Sequence, residues 1–415
     1  MILKLVIMNG GNMINKEKSI AGLDTKKCLS CRSCFLTCPK NAIEMRENRE
    51  GFFYPIINEK CINCGLCVTH CPILTPNKKP FFGQRIFCLI LKNEELLRKS
   101  SSGGVFAGIA NYILSENGVV YGCAYDENFN ANIIGITNVA DLYKLQGSKY
   151  VASNTNVTYK QVKENLEIGK KVLYCGSPCQ IAGLKAFLGK DYENLYTLDL
   201  ICHGTPSQKL FSKYIEWLGK KFGGKIIYYG FRDKDISGWS CGGIAIAKTK
   251  TKTKTKTIEG NCDPYYASFL RGETYKESCY SCKFANMERV GDITIGDFWG
   301  VNKYYPNVDK KKGVSCCLIN TKNGDELFES VKEYFEFFEI SENEVREKNT
   351  NLYKPANRPA IRNHIYEEID SFESIEFFKK FQCKKSIFIK MKRFCLRLIP
   401  TPIKKILKRL IISMS

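Results

Sequence analysis

Two cysteine runs near the N-terminus restrict the fold of this chain more than any other part of its 415 residues. "CLSCRSCFLTCPK" supplies Cys28, Cys31, Cys34 and Cys38 ahead of Pro39, and "CINCGLCVTHCPI" supplies Cys61, Cys64, Cys67 and Cys71 ahead of Pro72. Each run reads C-x2-C-x2-C-x3-C-P. Residues 20–76 hold both runs and little else that could form an apolar core, so this segment is expected to fold around metal.

The spacing is that of two-cluster 4Fe-4S ferredoxins. Three closely spaced thiolates wrap three corners of one cube, and the fourth, displaced by a turn and a proline, points at the other. One cluster is then expected on Cys28, Cys31, Cys34 and Cys71, and the other on Cys61, Cys64, Cys67 and Cys38. Zinc modules favour paired CxxC knuckles, which neither run resembles. Such a pair of cubes relays single electrons and does not select a substrate.

The chain has 21 cysteines, but their spacing does not suggest a secreted disulfide framework, and "MILKLVIM" is not followed by a small-residue cleavage site. A cytoplasmic location with metal-bound thiolates is the consistent expectation; Met8 and Met13 are alternative starts. The formal charge of +21 would ordinarily point to nucleic acid. That figure counts cysteines as neutral, and each four-thiolate cluster at roughly −2 would offset part of it. No nucleic-acid partner is expected.

From about residue 85 to 335, short apolar strands such as "RIFCLIL", "VVYGCAY" and "DITIGDF" alternate with helical stretches, as in an α/β body. "KTKTKTKTKT", Lys248 to Thr257, reads as an exposed hairpin with its lysines on one face. "DELFESVKEYFEFFEISENEVREKN" reads as a helix and then an acidic linker, giving a helical linker over 336–378. Residues 379–415 hold twelve Lys or Arg and no acid, with apolar residues at helical spacing. They form a basic amphipathic tail suited to an anionic membrane surface on the inner face, and are too short and too charged to span it. A helix pair packed on the body or on a partner is the other reading.

"CYSCKF", Cys279 to Phe284, is a lone CxxC: half a zinc site, a redox dithiol, or half of an iron-sulfur site completed elsewhere. "GSPCQ" and "CHGTP" each follow a strand, so Cys179 and Cys202 sit at strand ends, where α/β sheets present ligands. Cys279 and Cys282 would complete four thiolates. Cys175 competes as a ligand. "SSSGG" places Ser101, Ser102, Gly103 and Gly104 before a helix starting near Val105, where they can meet an anion or simply cap the helix. "GSKY" adds Ser148, Lys149 and Tyr150. No G-x-G-x-x-G follows a strand, so a separate nicotinamide site is unsupported. Asp292 and Asp297 in "GDITIGDFWG" could orient a ligand or stabilise a turn. His203 and Lys149 are the candidate catalytic groups.

"KSSSGGVFAGIANYIL", "GVVYGCAYDE", "LQGSKYVAS", "VLYCGSPCQIAGLKAFL", "LDLICHGTPS" and "CYSCKFANMERVGDITIGDFWG" together resemble the coenzyme F(420) hydrogenase/dehydrogenase beta-subunit family over roughly residues 20–320. The resemblance implies an iron-sulfur flavoprotein. Its FAD would use Ser101, Ser102, Gly103, Gly104, Ser148, Lys149 and Tyr150, and a third 4Fe-4S cluster would sit on Cys179, Cys202, Cys279 and Cys282. The family-type body divides into 85–165, with the FAD phosphate motif, and 166–335, with the third cluster and flavin. The expected fold is therefore an α+β ferredoxin-like domain followed by an α/β flavin-binding body and a basic helical tail.

The expected function is an oxidoreductase joining single-electron clusters to a two-electron substrate, with surface polysaccharide synthesis as one setting. The alternatives are an electron-transfer subunit that docks to a partner oxidoreductase, and a metal-stabilised interaction protein. The donor is expected to be a ferredoxin or a partner enzyme; use of coenzyme F(420) itself is left open.

Overall fold

A computed structural model describes residues 5–7, 13–76 and 83–381. The basic tail beyond Phe381 lies outside the described residues, and so does its expected helix. Among the described residues no helix is long and apolar enough to cross a membrane.

Residues 20–76 have the predicted form. The strands Ile43–Glu47 and Phe53–Ile57 pair as an antiparallel hairpin, with Ile43 opposite Ile57. Its core is thin: Ile14, Ile20, Ile43 and Ile57 pack with Cys34, Cys67 and Cys71. The ligand loops take matching turns. Arg32 (φ 66°) and Gly65 (φ 83°), each between the second and third cysteine of its run, are left-handed and lead into the short helices Ser33–Thr37 and Leu66–Thr69.

The body is built on one eight-stranded sheet. Its strands are β1 (Arg85–Leu91), β2 (Val119–Tyr125), β3 (Ala131–Ile136), β4 (Val172–Gly176), β5 (Leu195–Leu200), β6 (Ile293–Asp297), β7 (Ser315–Ile319) and β8 (Phe335–Glu339). They lie in the order β8-β1-β7-β6-β5-β4-β2-β3. β2, β4, β5 and β6 run parallel in the centre. The flanking pairs β2–β3, β6–β7, β7–β1 and β1–β8 are antiparallel. One sheet thus joins strands from residues 85–165 and 166–335.

Both faces of the sheet's centre are covered, which is why strands such as β1 and β7 read as near-continuous apolar runs. Val172 and Tyr174 point to one side, onto the helices Thr158–Glu167 and Pro178–Leu188; Leu173 points to the other, onto Val105–Ser115 and Lys322–Val331. The helix Pro178–Leu188 is specified locally by Pro178 at its first position, a Ser177–Gln180 capping box and Gly189 at its end.

A second core, rich in aromatic rings, lies beside the sheet. The meander Lys225–Gly230, Gly242–Lys248 and Thr253–Glu259 packs with the helices Gln208–Phe222, Pro264–Leu270, Ile361–Glu367 and Ser374–Lys380. The Lys-Thr repeat does form a hairpin, and Lys254 and Lys256 share one face beside Phe222. The expected linker over 336–378 is corrected at its start, because Phe335–Glu339 is an edge strand paired with β1. Its alternating residues bury Phe335 on the core and leave Glu336 in water.

Candidate functional site

The cysteines of the N-terminal domain sort as the spacing predicts. Cys28, Cys31, Cys34 and Cys71 line one small apolar cavity with Ile20, Leu23 and Met45. Cys38, Cys61, Cys64 and Cys67 line a second, between Ile43 and Ile57. The fourth cysteine of each run crosses to the other group, and the Ala42 N–H donates to the Cys38 sulfur at 3.2 Å. The two groups are neighbours, since Cys34 feels the charges of both Cys71 and Cys67. Burial pushes the Cys31 thiol up to about 12, and burial also raises Cys34, Cys67 and Cys71. Without a metal these sulfurs are thiols at neutral pH, so iron binding must release protons.

The four body cysteines also converge. Cys179 lies in the first turn of Pro178–Leu188, with its sulfur 3.1 Å from the Ser177 hydroxyl. Cys202 follows β5, and Cys279 and Cys282 come from the turn Glu277–Ser281 and the residue after it. Burial is the main cause holding Cys202 well above its usual value and Cys279 at about 12, and each also feels the charge of Cys179 and Cys282. Cys175, the competing candidate, is raised by burial to about 12 and feels the charges of Cys123, Asp199 and Lys149. All the described cysteines are free thiols, Cys279 and Cys282 included.

Among the described residues, no three His, Cys, Asp or Glu side chains close around a single ion. The donor chemistry of the two N-terminal groups, four cysteine sulfurs in each, fits an iron-sulfur cluster. A buried ion pair secures the third set: Arg289 reaches Asp199 at 3.0 Å and also donates to the carbonyls of Phe284 at 2.6 Å and Leu200 at 2.9 Å. It ties the loop after Cys282 to the strand that leads to Cys202.

A cavity of about 990 Å³ opens at the C-terminal edge of the parallel strands. Cys179, Cys202 and His203 form one part of its wall, and Ser101, Ser102, Gly104, Ser148, Lys149 and Tyr150 another. The Ser101 hydroxyl accepts from the N–H of Ser148 at 2.8 Å and from its hydroxyl at 2.9 Å, which joins the two predicted motifs. Gly104 (φ 80°) starts the helix Val105–Ser115, as expected.

Three assignments change in detail. Gly103 is a packing residue: its N–H donates to the Ser315 hydroxyl at 2.9 Å, and a Cβ there would stand 2.2 Å from the Leu89 carbonyl oxygen. Ser102 spends its hydroxyl on the Val314 carbonyl. Tyr150 stacks on Phe269 at 4.4 Å, so its ring belongs to the aromatic core, although it also borders the cavity. Lys149 donates to the carbonyls of Gln146 at 2.7 Å and Lys144 at 3.1 Å, and burial lowers its pKa. Burial lowers His203 as well, against an opposing pull from Asp297. The two aspartates separate: Asp292 is buried among Thr197, Thr321 and Lys185, while Asp297 borders the cavity.

Sequence reading missed the partners of Asp297. Arg232 binds it at 2.6 Å, Trp239 donates to it at 2.6 Å, and Trp239 stacks on Trp299 at 4.8 Å. The Arg232 side chain is 3% exposed and lines the cavity, and its Nη2 is buried with no hydrogen-bond partner. Such a group needs an acceptor.

Residues 169–343 match the family described as the C terminus of the coenzyme F(420) hydrogenase/dehydrogenase beta subunit. Residues 21–76 match the 4Fe-4S dicluster domain. Over 187 residues, 44% of this chain, the sequence is 26% identical to a coenzyme F(420)-dependent sulfite reductase of Methanocaldococcus jannaschii. The match spans 29% of that protein's length. A chain in a structure of the F(420)-reducing NiFe hydrogenase complex from Methanosarcina barkeri aligns with a TM-score of 0.43 at 18% identity, covering 73% of this chain and 93% of that one.

Proposed function

Since residues 169–343 belong to the coenzyme F(420) hydrogenase/dehydrogenase beta-subunit family and residues 21–76 to the 4Fe-4S dicluster domain, we propose an iron-sulfur flavoprotein that exchanges single electrons for electron pairs. In this reading Cys179, Cys202, Cys279 and Cys282 hold a third 4Fe-4S cluster, and the cavity holds FAD. When bound, the clusters would supply one-electron steps and the flavin the conversion to two.

One observation carries the reading: Cys179 has the cavity on one side and Cys31 of the N-terminal domain on the other. The cavity suits a dinucleotide in size and in donors. The helix start at Gly104 and Val105 offers backbone N–H groups to a diphosphate, and Lys149 adds a cation. Arg232 has a buried N–H edge in need of an acceptor. His203, whose pKa burial lowers, lines the cavity beside Cys202 and is the candidate proton carrier.

The donor side is suggested by the second cysteine group. Cys64 is exposed, Ile62 beside it is 56% exposed, and Lys18 and Lys40 border the same cavity. An apolar spot ringed by lysines suits an acidic one-electron carrier such as a ferredoxin.

Anaerobic purification followed by iron, sulfide, zinc and flavin analysis tests the assignment. About twelve irons and one FAD per chain are expected. Zinc without flavin would overturn it. Titration with reduced ferredoxin and with reduced deazaflavin, with and without candidate acceptors, then separates a self-sufficient enzyme from a subunit that turns over only with its partner.

A further inference from the structure

A buried lysine stands between the two cysteine-bearing parts of the chain. Lys276 lies three residues before Cys279, and its backbone N–H donates to the Thr205 carbonyl at 3.0 Å. It is 4% exposed. Its ammonium touches the hydroxyl of Ser30, which sits inside the loop between Cys28 and Cys31 and also meets the Phe53 carbonyl. The rings of Tyr54, at 4.4 Å, and Phe52, at 5.9 Å, cover it. The sulfurs whose charge bears on it come from both sides: Cys28 and Cys31 from the first set, Cys179 and Cys279 from the third.

An ammonium in this position loses most of its hydration. One hydroxyl and two ring faces replace little of it, so burial lowers the pKa of Lys276, and a charged lysine here requires nearby negative charge. Two four-thiolate iron-sulfur groups, each at roughly −2 when oxidised, supply that charge from opposite sides.

We infer that Lys276 is the shared counter-cation of the first and third clusters and raises the reduction potential of both. This rests on the proposed third cluster at Cys179, Cys202, Cys279 and Cys282. When one electron leaves the first site for the third, one side of the ammonium loses a unit of negative charge and the other gains it. The total charge facing Lys276 is unchanged, so its surroundings need not reorganise. The second set, Cys38, Cys61, Cys64 and Cys67, is not among the sulfurs whose charge bears most on Lys276, and serves as an internal reference.

The test is an anaerobic redox titration of the reconstituted full chain, followed by electron paramagnetic resonance, with iron counted in every sample. Removing the charge in Lys276→Met makes two of the three clusters harder to reduce. The oxidised-to-reduced ratio at fixed potential rises about tenfold for each, ~59 mV for a one-electron couple, and the third transition stays in place. Lys276→Arg keeps the charge and restores both potentials. If Lys276→Met binds less iron than the wild type, Lys276→Gln, which keeps a donor for Ser30, is compared in its place. Unchanged potentials in a twelve-iron variant overturn the inference alone, as does a shift confined to one cluster. A wild-type protein with eight irons overturns the third-cluster reading and this inference with it.

Discussion

Gly183 and Cys31 meet in direct contact: a Cβ built on Gly183 would stand 2.5 Å from Cβ of Cys31 and 3.1 Å from its sulfur. Gly183 lies one turn beyond Cys179 on the same helix, so the first and third cysteine sets approach through a position that admits no side chain. Gly183→Ala is expected to push the helix from the N-terminal domain and lower stability by about 1–3 kcal/mol, the cost of overpacking. Stopped-flow measurement of flavin reduction by reduced ferredoxin should show slower transfer with iron content unchanged. Transfer at the wild-type rate would show that this close approach is not part of the electron path.

Cys282→Ser should remove about four irons of twelve with the matching sulfide, and leave the signals of the two N-terminal clusters in place. Cys175→Ser, at a cysteine that feels the charges of Cys123, Asp199 and Lys149, should lose none. Metal and sulfide analysis of both variants distinguishes the four-cysteine assignment from one that includes Cys175.

Asp263 gives stability a pH dependence of its own. Burial raises its carboxyl to about 6, although it caps the helix Pro264–Leu270 through the N–H groups of Tyr265 and Tyr266 and accepts from the Tyr214 hydroxyl at 2.7 Å. A carboxyl raised in the folded state contributes stability that is complete below the unfolded value near 4 and is lost as pH rises through about 6. Asp263→Asn retains the cap and has no such loss. It should match the wild type at pH 4 and exceed it at pH 8 by roughly 2–3 kcal/mol, read as a difference in thermal midpoint by circular dichroism.

Arg362 is 1% exposed and holds Glu50 in a paired contact of 2.6 and 2.9 Å, while its Nε donates to the Tyr275 carbonyl at 2.7 Å. Arg362→Ala leaves Glu50 without its partner and should cost about 3–5 kcal/mol. Glu50→Gln, which keeps an amide oxygen for Arg362 while Glu277 at 3.8 Å still faces its charge, should cost less. Limited proteolysis should release the N-terminal domain from Arg362→Ala first.

The parts of this molecule that were legible in the sequence depend on local spacing. The two cysteine runs marked which sulfurs would line a common cavity, and the strands around "VVYGCAY" and "KVLY" were readable because burial on both faces leaves a nearly unbroken apolar run. The helix start at Val105 was marked by its glycines. Features that depend on distant partners were not readable. "SCCLI" and "FEFFE" are strands because β1 lies beside both, and a short apolar run carries no record of its neighbour. Lys276 and Arg232 belong to residue types that normally face water, and nothing local marks them as buried. Only the three-residue spacing of Lys276 from Cys279 could have drawn attention to it. Gly103 was misread because a glycine kept for close packing looks the same in sequence as one kept for an anion.

The contact between Arg362 and Glu50 also orders events in time. The two residues are 312 positions apart, and ribosomes make a chain from its N-terminus. The cysteine-rich domain is therefore complete long before the residue that fastens it to the body exists. Until Arg362 emerges, the nascent chain holds the cysteine-rich segment without this clamp.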